Sequence, residues 1–260
     1  RCLGGYGHCG QTKRQYGDCN RCVDLRDPLP DHGREFCSEP EEYNHMSEGK
    51  VCVSVCAKTA VEMIAKIRSA EKHADVVEVR FDCLDSDELC IFRSQISTLS
   101  LEKPILATFR SPEQGGNGAV TRDERTAFWN AEAGKFWAVD LEEDILNEIC
   151  SHATRIASHH DFAGVPTDLN AIFERLASSD CDVIKIAVTA NDITDAIDMW
   201  KLIERARATN KWMIPIAMGD AGKWTRILGL AHGAFLTYAS LDASGETAPG
   251  QVNARELRDL

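Results

Sequence analysis

From Val51 onward the chain alternates short, continuously apolar runs with amphipathic stretches, and this alternation constrains the fold more than any other feature. The runs are Val51–Cys56, Asp75–Arg80, Pro104–Arg110, Phe136–Glu142, Thr154–His159, Asp182–Val188, Trp212–Met218 and Ala234–Ala239. Each has the length and β-branched content of a strand. Strands without a polar face are covered on both sides, which predicts a parallel sheet under helices. The stretches between them carry helix starts. Thr59-Ala60-Val61-Glu62 and Thr121-Arg122-Asp123-Glu124 read as capping boxes, opening helices toward His73 and Gly134. Asp192 to Ala208 sets Ile193, Ala196, Ile197, Trp200 and Ile203 on a face expected to meet the sheet. Eight strands, each followed by a helix, predict a (β/α)8 TIM barrel over residues 50–260, its last helix (Ala254–Leu260) cut short. The alternative is an open doubly wound sheet, which wants a Gly-rich turn after the first strand; Cys56-Ala57-Lys58-Thr59 offers none.

Residues 1–49 read differently, as a Cys-rich, irregular extension or linker expected to be poorly ordered. Five of the eleven cysteines lie there: Cys2, Cys9, Cys19, Cys22 and Cys37. Cys19-Asn20-Arg21-Cys22 is a CxxC that Cys9, His8 and Cys37 could complete into a zinc site, but no second CxxC exists to pair with it, so a solvated linker is the favoured reading. The remaining cysteines (Cys52, Cys56, Cys83, Cys90, Cys150 and Cys181) fall in strand and helix patterns, where thiols are expected as small buried hydrophobes in a reducing compartment. No apolar run approaches the roughly 18 residues that span a bilayer, and no signal-peptide core is present. A formal net charge of −12 argues against nucleic acid or an anionic membrane as partner, while leaving room for an anionic small molecule held by local arginines. The chain starts at Arg1 and stops inside a helical pattern, which reads as a piece of a longer polypeptide.

Within the sixth run, Asp182-Val183-Ile184-Lys185-Ile186-Ala187-Val188, a lysine interrupts an otherwise apolar strand. Burial disfavours an ammonium, so the expectation is a lowered pKa and a nucleophile able to attack a carbonyl; the alternative is a lysine snorkelling to solvent at a strand end. The other strand ends carry a polar inventory, at the end of a barrel where active sites form. It comprises Ser54, Glu78-Val79-Arg80-Phe81-Asp82, Thr108-Phe109-Arg110 with Gln114-Gly115-Gly116, Asp140-Leu141-Glu142, Ser158-His159-His160-Asp161-Phe162, Met218-Gly219-Asp220-Ala221-Gly222 with Thr225-Arg226, and Thr247-Ala248-Pro249-Gly250-Gln251. Taken singly, Glu78 and Arg80 read equally as a structural ion pair, the arginines as surface residues and the glycines as loop punctuation. Their concentration at one end of separate buried strands, where unpaired charge is costly, favours a site.

As a set, EVRFD, TFR with QGG, SHHDF, KIA, MGDAGKWTR and TAPGQ resembles the type I 3-dehydroquinate dehydratases over residues 51–260. The resemblance implies dehydration of 3-dehydroquinate to 3-dehydroshikimate in the shikimate pathway, with no metal or organic cofactor. Lys185 matches the lysine that forms a Schiff base with the C3 ketone, and His160 the general base that takes the C2 proton and then, as acid, releases the C1 hydroxyl as water. Arg226 matches the clamp on the substrate carboxylate. Ser54, Glu78, Arg80, Arg110, Thr247 and Gln251 match positions that contact the ring hydroxyls or support those that do, with Thr247–Gln251 as a lid. Gln114 stands where many members carry a glutamate that supports the histidine, which implies a weaker base here; Thr225 stands for a more usual serine.

Two further readings compete. Another Schiff-base barrel of the class I aldolase kind would share the lysine but not the SHHDF and TAPGQ partners. A catalytically silent, regulatory dehydratase-like domain would have no need of both Lys185 and His160. The resemblance also implies a frequent homodimer, fusion in some members to shikimate dehydrogenase or other pathway domains, and a cytoplasmic location, or a plastid one in a plant or alga.

Overall fold

The computed structural model describes residues 49–241 and 247–259. The Cys-rich segment, with its CxxC and the zinc site considered for it, lies outside the described residues. Elements follow in the order β1 (Lys50–Val55), α1 (Ala60–Ala70), β2 (Val76–Arg80), α2 (Ser86–Ile96), β3 (Ile105–Thr108), α3 (Arg122–Glu132), β4 (Ala138–Glu142), β5 (Thr154–Asp161), α4 (Leu169–Ala177), β6 (Val183–Thr189), α5 (Asp195–Ala208), β7 (Trp212–Met218), α6 (Lys223–Leu228), β8 (Leu236–Ser240), β9 (Val252–Asn253) and α7 (Ala254–Asp259). One predicted helix is missing: β4 reaches β5 through a single 3-10 turn, Leu146–Glu148.

The strands are all parallel in the order β7-β6-β5-β4-β3-β2-β1-β8-β9, a curled sheet of TIM-barrel type. Strand runs are apolar throughout because both faces are buried. Val53, Val77, Ala107, Val139, Ala157, Ile184 and Met213 pack outward into the core shared with the helices. Their neighbours Cys52, Val76, Leu106, Ala138, Ile156, Val183, Ile214 and Leu236 fill the barrel interior as a second core. Period-two geometry then places the next inward residue of each strand one layer nearer the mouth. Those residues are Ser54, Glu78, Thr108, Asp140, Ser158, Lys185, Ile216 and Tyr238, so the polar groups form one layer resting on an apolar floor.

Local signals set the helices. Thr121 accepts from the Glu124 amide while the Glu124 carboxylate accepts from the Thr121 amide, completing a capping box. Thr59 makes only the first half of its box. On α5 the expected buried face is rotated. Ala196, Met199, Leu202, Ile203 and Ala206 meet the sheet, and Ile193 and Ile197 are 62% and 45% exposed. The helix begins at Asp195, leaving Ile193 in the preceding turn, and Met199 and Leu202 complete the inward stripe instead. The cysteines also depart from expectation: Cys56, just past β1, is disulfide-bonded to Cys83, just past β2, whereas Cys52 and Cys181 are buried free thiols. Among the described residues no helix is long and apolar enough to cross a membrane.

Candidate active site

At the end of the barrel where the strands finish lies a cavity. Nine of the ten residues singled out in the sequence line it: Glu78, Arg80, Arg110, Gln114, His160, Lys185, Arg226, Thr247 and Gln251. The tenth, Ser54, stands behind Glu78 and gives its hydroxyl hydrogen to that carboxylate.

Lys185 lies one residue out of phase with Ile184 and Ile186, which face the helices, so its side chain enters the barrel. It is 4% exposed. Its ammonium donates to Asp140 Oδ2 at 2.7 Å and to the Tyr238 hydroxyl at 3.1 Å, with Glu78 Oε1 at 3.9 Å. The face of the Tyr238 ring also borders the charge, 4.4 Å from Nζ to the centroid. A charge buried this deeply is tolerated because it is paired and hydrogen-bonded.

Asp140 is the hub of the charged layer. Arg110 donates to it from Nη2 at 2.7 Å, while Nη1 reaches Ser158 Oγ at 2.8 Å and Glu142 Oε1 at 3.2 Å. Burial alone would raise the Asp140 carboxyl, but the cations of Arg110 and Lys185 outweigh it and hold the group well below the usual carboxylate range. Arg110 is lowered by burial and raised more strongly by Asp140 and Glu142, so it stays charged. Glu142 continues the network outward to Arg125 of α3 at 2.9 Å. Glu78 accepts from Thr108 Oγ1 at 2.7 Å as well as from Ser54. The ion pair considered between Glu78 and Arg80 does not form. Arg80 grips Asp82 with two hydrogen bonds of 2.8 and 2.7 Å, and Asp82 also accepts from the Arg110 and Asn117 amides.

His160 projects from the end of β5 against Gln114. The Gln114 Oε1 accepts from the His160 amide at 3.0 Å and sits 3.1 Å from Nδ1. An oxygen already oriented by a backbone N–H is an acceptor, so Nδ1 carries the ring hydrogen and Nε2 keeps its lone pair. Burial, with the charges of Arg110 and Lys185, holds the imidazole well below its ordinary pKa, against the pull of Asp140. The loop that delivers Gln114 turns at Gly115, whose φ of 82° suits glycine and whose Cα lies under the Phe162 ring, where a Cβ would meet Cζ at 2.4 Å. These glycines are therefore more than loop punctuation.

Arg226, on α6, is buried and donates from Nη2 to the Pro249 carbonyl at 3.2 Å. Thr247 and Gln251 bind each other: Gln251 Oε1 accepts from the Thr247 amide at 2.8 Å, and Nε2 donates to Thr247 Oγ1 at 3.1 Å. Gly250, at φ 75°, lets the segment press on the end of β7, where a Cβ would meet the Gly219 carbonyl at 2.6 Å. Sequence reasoning missed the Lys185 partners Asp140 and Tyr238. Asp140 was visible as a strand-end acid, but Tyr238, within Leu236-Thr237-Tyr238-Ala239-Ser240, has the composition of any buried strand residue.

Comparison with known proteins points the same way. The sequence model of the family described as Type I 3-dehydroquinase matches residues 51–260. The 3-dehydroquinate dehydratase of Methanothermobacter thermautotrophicus is 32% identical over 219 residues, covering 81% of this chain and 95% of that one. The bifunctional chloroplastic 3-dehydroquinate dehydratase/shikimate dehydrogenase of Arabidopsis thaliana is 30% identical over 81% of this chain and 36% of its own length. The crystal structure of 3-dehydroquinate dehydratase from Geobacillus kaustophilus superposes with a TM-score of 0.72 at 25% identity, covering 82% of this chain and 90% of that chain. The chain belongs to the type I 3-dehydroquinase family, lyases that dehydrate 3-dehydroquinate.

Proposed function

We propose that this cavity dehydrates 3-dehydroquinate to 3-dehydroshikimate through a Schiff base on Lys185. The observation that carries the reading is that a buried, fixed amine and an imidazole with a free Nε2 line the same cavity. Condensation of the amine with the C3 ketone gives an iminium, whose positive nitrogen draws electrons from C2 and acidifies the hydrogen there. His160 Nε2 takes that proton, and the electron pair enters the conjugated enamine. The C1–O bond then breaks, and the departing hydroxyl receives the proton back from the imidazolium and leaves as water. Hydrolysis of the iminium frees the enone. A neutral imidazole is the form this requires, and its low pKa supplies it. Asp140 holds the amine in place. Arg226 offers a planar guanidinium to the substrate carboxylate, and Glu78, Arg80, Arg110, Thr247 and Gln251 supply polar contacts for the ring hydroxyls.

Borohydride reduction in the presence of 3-dehydroquinate tests the reading: mass spectrometry should find one stable adduct, at Lys185. Lys185→Ala should give none and abolish formation of the absorbing enone while keeping the fold. His160→Ala should still reach the adduct, though more slowly, and turn over about 10²–10⁴-fold more slowly. Near-normal turnover in either variant would contradict the assignment. A silent regulatory domain would give no adduct in the unaltered protein.

A further inference from the structure

The hydroxyl of Tyr238 is placed to handle a proton that the scheme above leaves unassigned. Tyr238 stands on β8, 4% exposed, and lines the cavity. Its oxygen accepts from Lys185 Nζ at 3.1 Å, and among the described residues no group accepts the hydrogen of its own hydroxyl. Asp140 takes a different ammonium hydrogen at 2.7 Å. The phenol therefore receives from nitrogen on one side and has a hydrogen to give to an atom in the cavity on the other.

We propose that Tyr238 is a catalytic proton relay for making and breaking the imine at Lys185. The proposal rests on the Schiff-base reading and adds a group to it. An ammonium and a ketone give an iminium and water with no net change in protons, so two of the three hydrogens on Nζ must end on the ketone oxygen. His160 takes the first, freeing the nitrogen lone pair to attack C3 as the carbonyl π pair moves onto oxygen. The adduct carries two hydrogens on a positive nitrogen beside an alkoxide. Tyr238 accepts one of them while its own hydroxyl hydrogen passes to the alkoxide, which leaves a neutral carbinolamine and an unchanged phenol. The imidazolium then protonates the carbinolamine hydroxyl, the C–O bond breaks, and the nitrogen lone pair closes the C=N bond as water departs. The one hydrogen left on nitrogen stays with Asp140, and His160 is again neutral for the C2 proton. Hydrolysis of the product imine runs the same steps backward.

Such a relay never needs a phenolate, which suits the setting. Burial, followed by the negative charge of Glu78 and Asp140, pushes ionisation of this phenol well above its ordinary range. The ring belongs to the apolar cluster of the barrel interior, a packing that a phenylalanine would keep.

The test uses Tyr238→Phe in the full chain with 3-dehydroshikimate, which forms the imine without any elimination. Two rates are read: appearance of the borohydride-trapped Lys185 adduct, and exchange of the ketone oxygen with 18O-labelled water. Both should fall about 10²-fold, the lower end of what a positioned proton donor supplies, while the final yield of adduct stays the same. In turnover of 3-dehydroquinate deuterated at C2, the isotope effect should shrink toward unity because imine formation becomes limiting, a change that a merely structural role would not produce. An adduct that forms at the same rate in both proteins overturns the relay alone. No adduct in the unaltered protein overturns the Schiff-base reading and the relay with it.

Discussion

Gln114 makes one oxygen serve two hydrogens, the amide of His160 and its Nδ1–H, at 3.0 and 3.1 Å. It fixes the tautomer without adding negative charge. The imidazole consequently feels burial and the nearby cations of Arg110, Lys185 and Arg80, with Asp140 opposing them. Protonation removes the base, so a lowered pKa keeps it working to lower pH. We expect the acid limb of kcat/KM to fall with a midpoint below about 6.5, the ordinary histidine value. Gln114→Glu would put a carboxylate beside the ring, favour the imidazolium and move that limb to higher pH, by about one unit. A limb that stays in place would show that Gln114 does not act through the charge on His160. The contrast between Gln114 and Tyr238 explains what a sequence conveys at this scale. Lys185 and His160 are legible because a charge or a titrating ring inside an apolar strand has a cost that demands a reason. Tyr238 has no such cost, and its meaning comes from β8 closing beside β1 to bring it within 3.1 Å of an amine 53 positions earlier.

The elements were legible where one rule decided them. Eight apolar runs gave eight strands because burial on both faces leaves a compositional mark that neighbouring turns cannot hide. The face of α5 was not, since Ile193 and Ile197 fit a helical stripe as well as Met199 and Leu202 do; the choice depends on where the first turn starts, and Thr194 gives no side-chain cap to announce it. The disulfide was hidden for a different reason. Cys56 and Cys83 are 27 residues apart in sequence, and only the pairing of β1 with β2 brings their Cα atoms to 5.4 Å. It clips together the exits of these strands, beside Asp82, whose carboxylate holds Arg80 and the start of the β3 loop. Closing a loop of this length restricts the unfolded chain by about 3 kcal/mol. Urea unfolding of the Cys56→Ser, Cys83→Ser double variant should therefore show stability lower by about 2–4 kcal/mol. Unfolding curves of the double variant and the unaltered chain that superimpose would exclude the clip.

Across the whole molecule the barrel wall has one weak seam, and the site straddles it. Successive strands from β7 through β1 to β9 are joined by parallel ladders, but β7 meets β8 through a single backbone bond, Phe235 N–H to the Met213 carbonyl at 2.8 Å. Residues two apart in a strand turn their backbone polar groups to the same side, so Pro215 also faces β8 and has no N–H to give. Side chains take over what the ladder lacks: Thr237 Oγ1 donates to the Arg226 carbonyl at 2.9 Å, and Arg226 in turn donates to Pro249 at 3.2 Å. Lys185 on one side and Tyr238 on the other are linked by a hydrogen bond of 3.1 Å across the same gap. A ligand held by Lys185 and Arg226 would add covalent and ionic cross-links exactly where the backbone supplies least. Local opening is easiest where backbone bonds are few, so amides of β8 that face β7 should exchange with deuterium ahead of those in β1, β2 and β6. Borohydride fixation of the product on Lys185 should then slow β8 more than any other strand. Equal protection around the barrel, or fixation that leaves β8 unchanged, would mean that the interior layers alone hold the wall closed and that substrate binding does nothing to brace it.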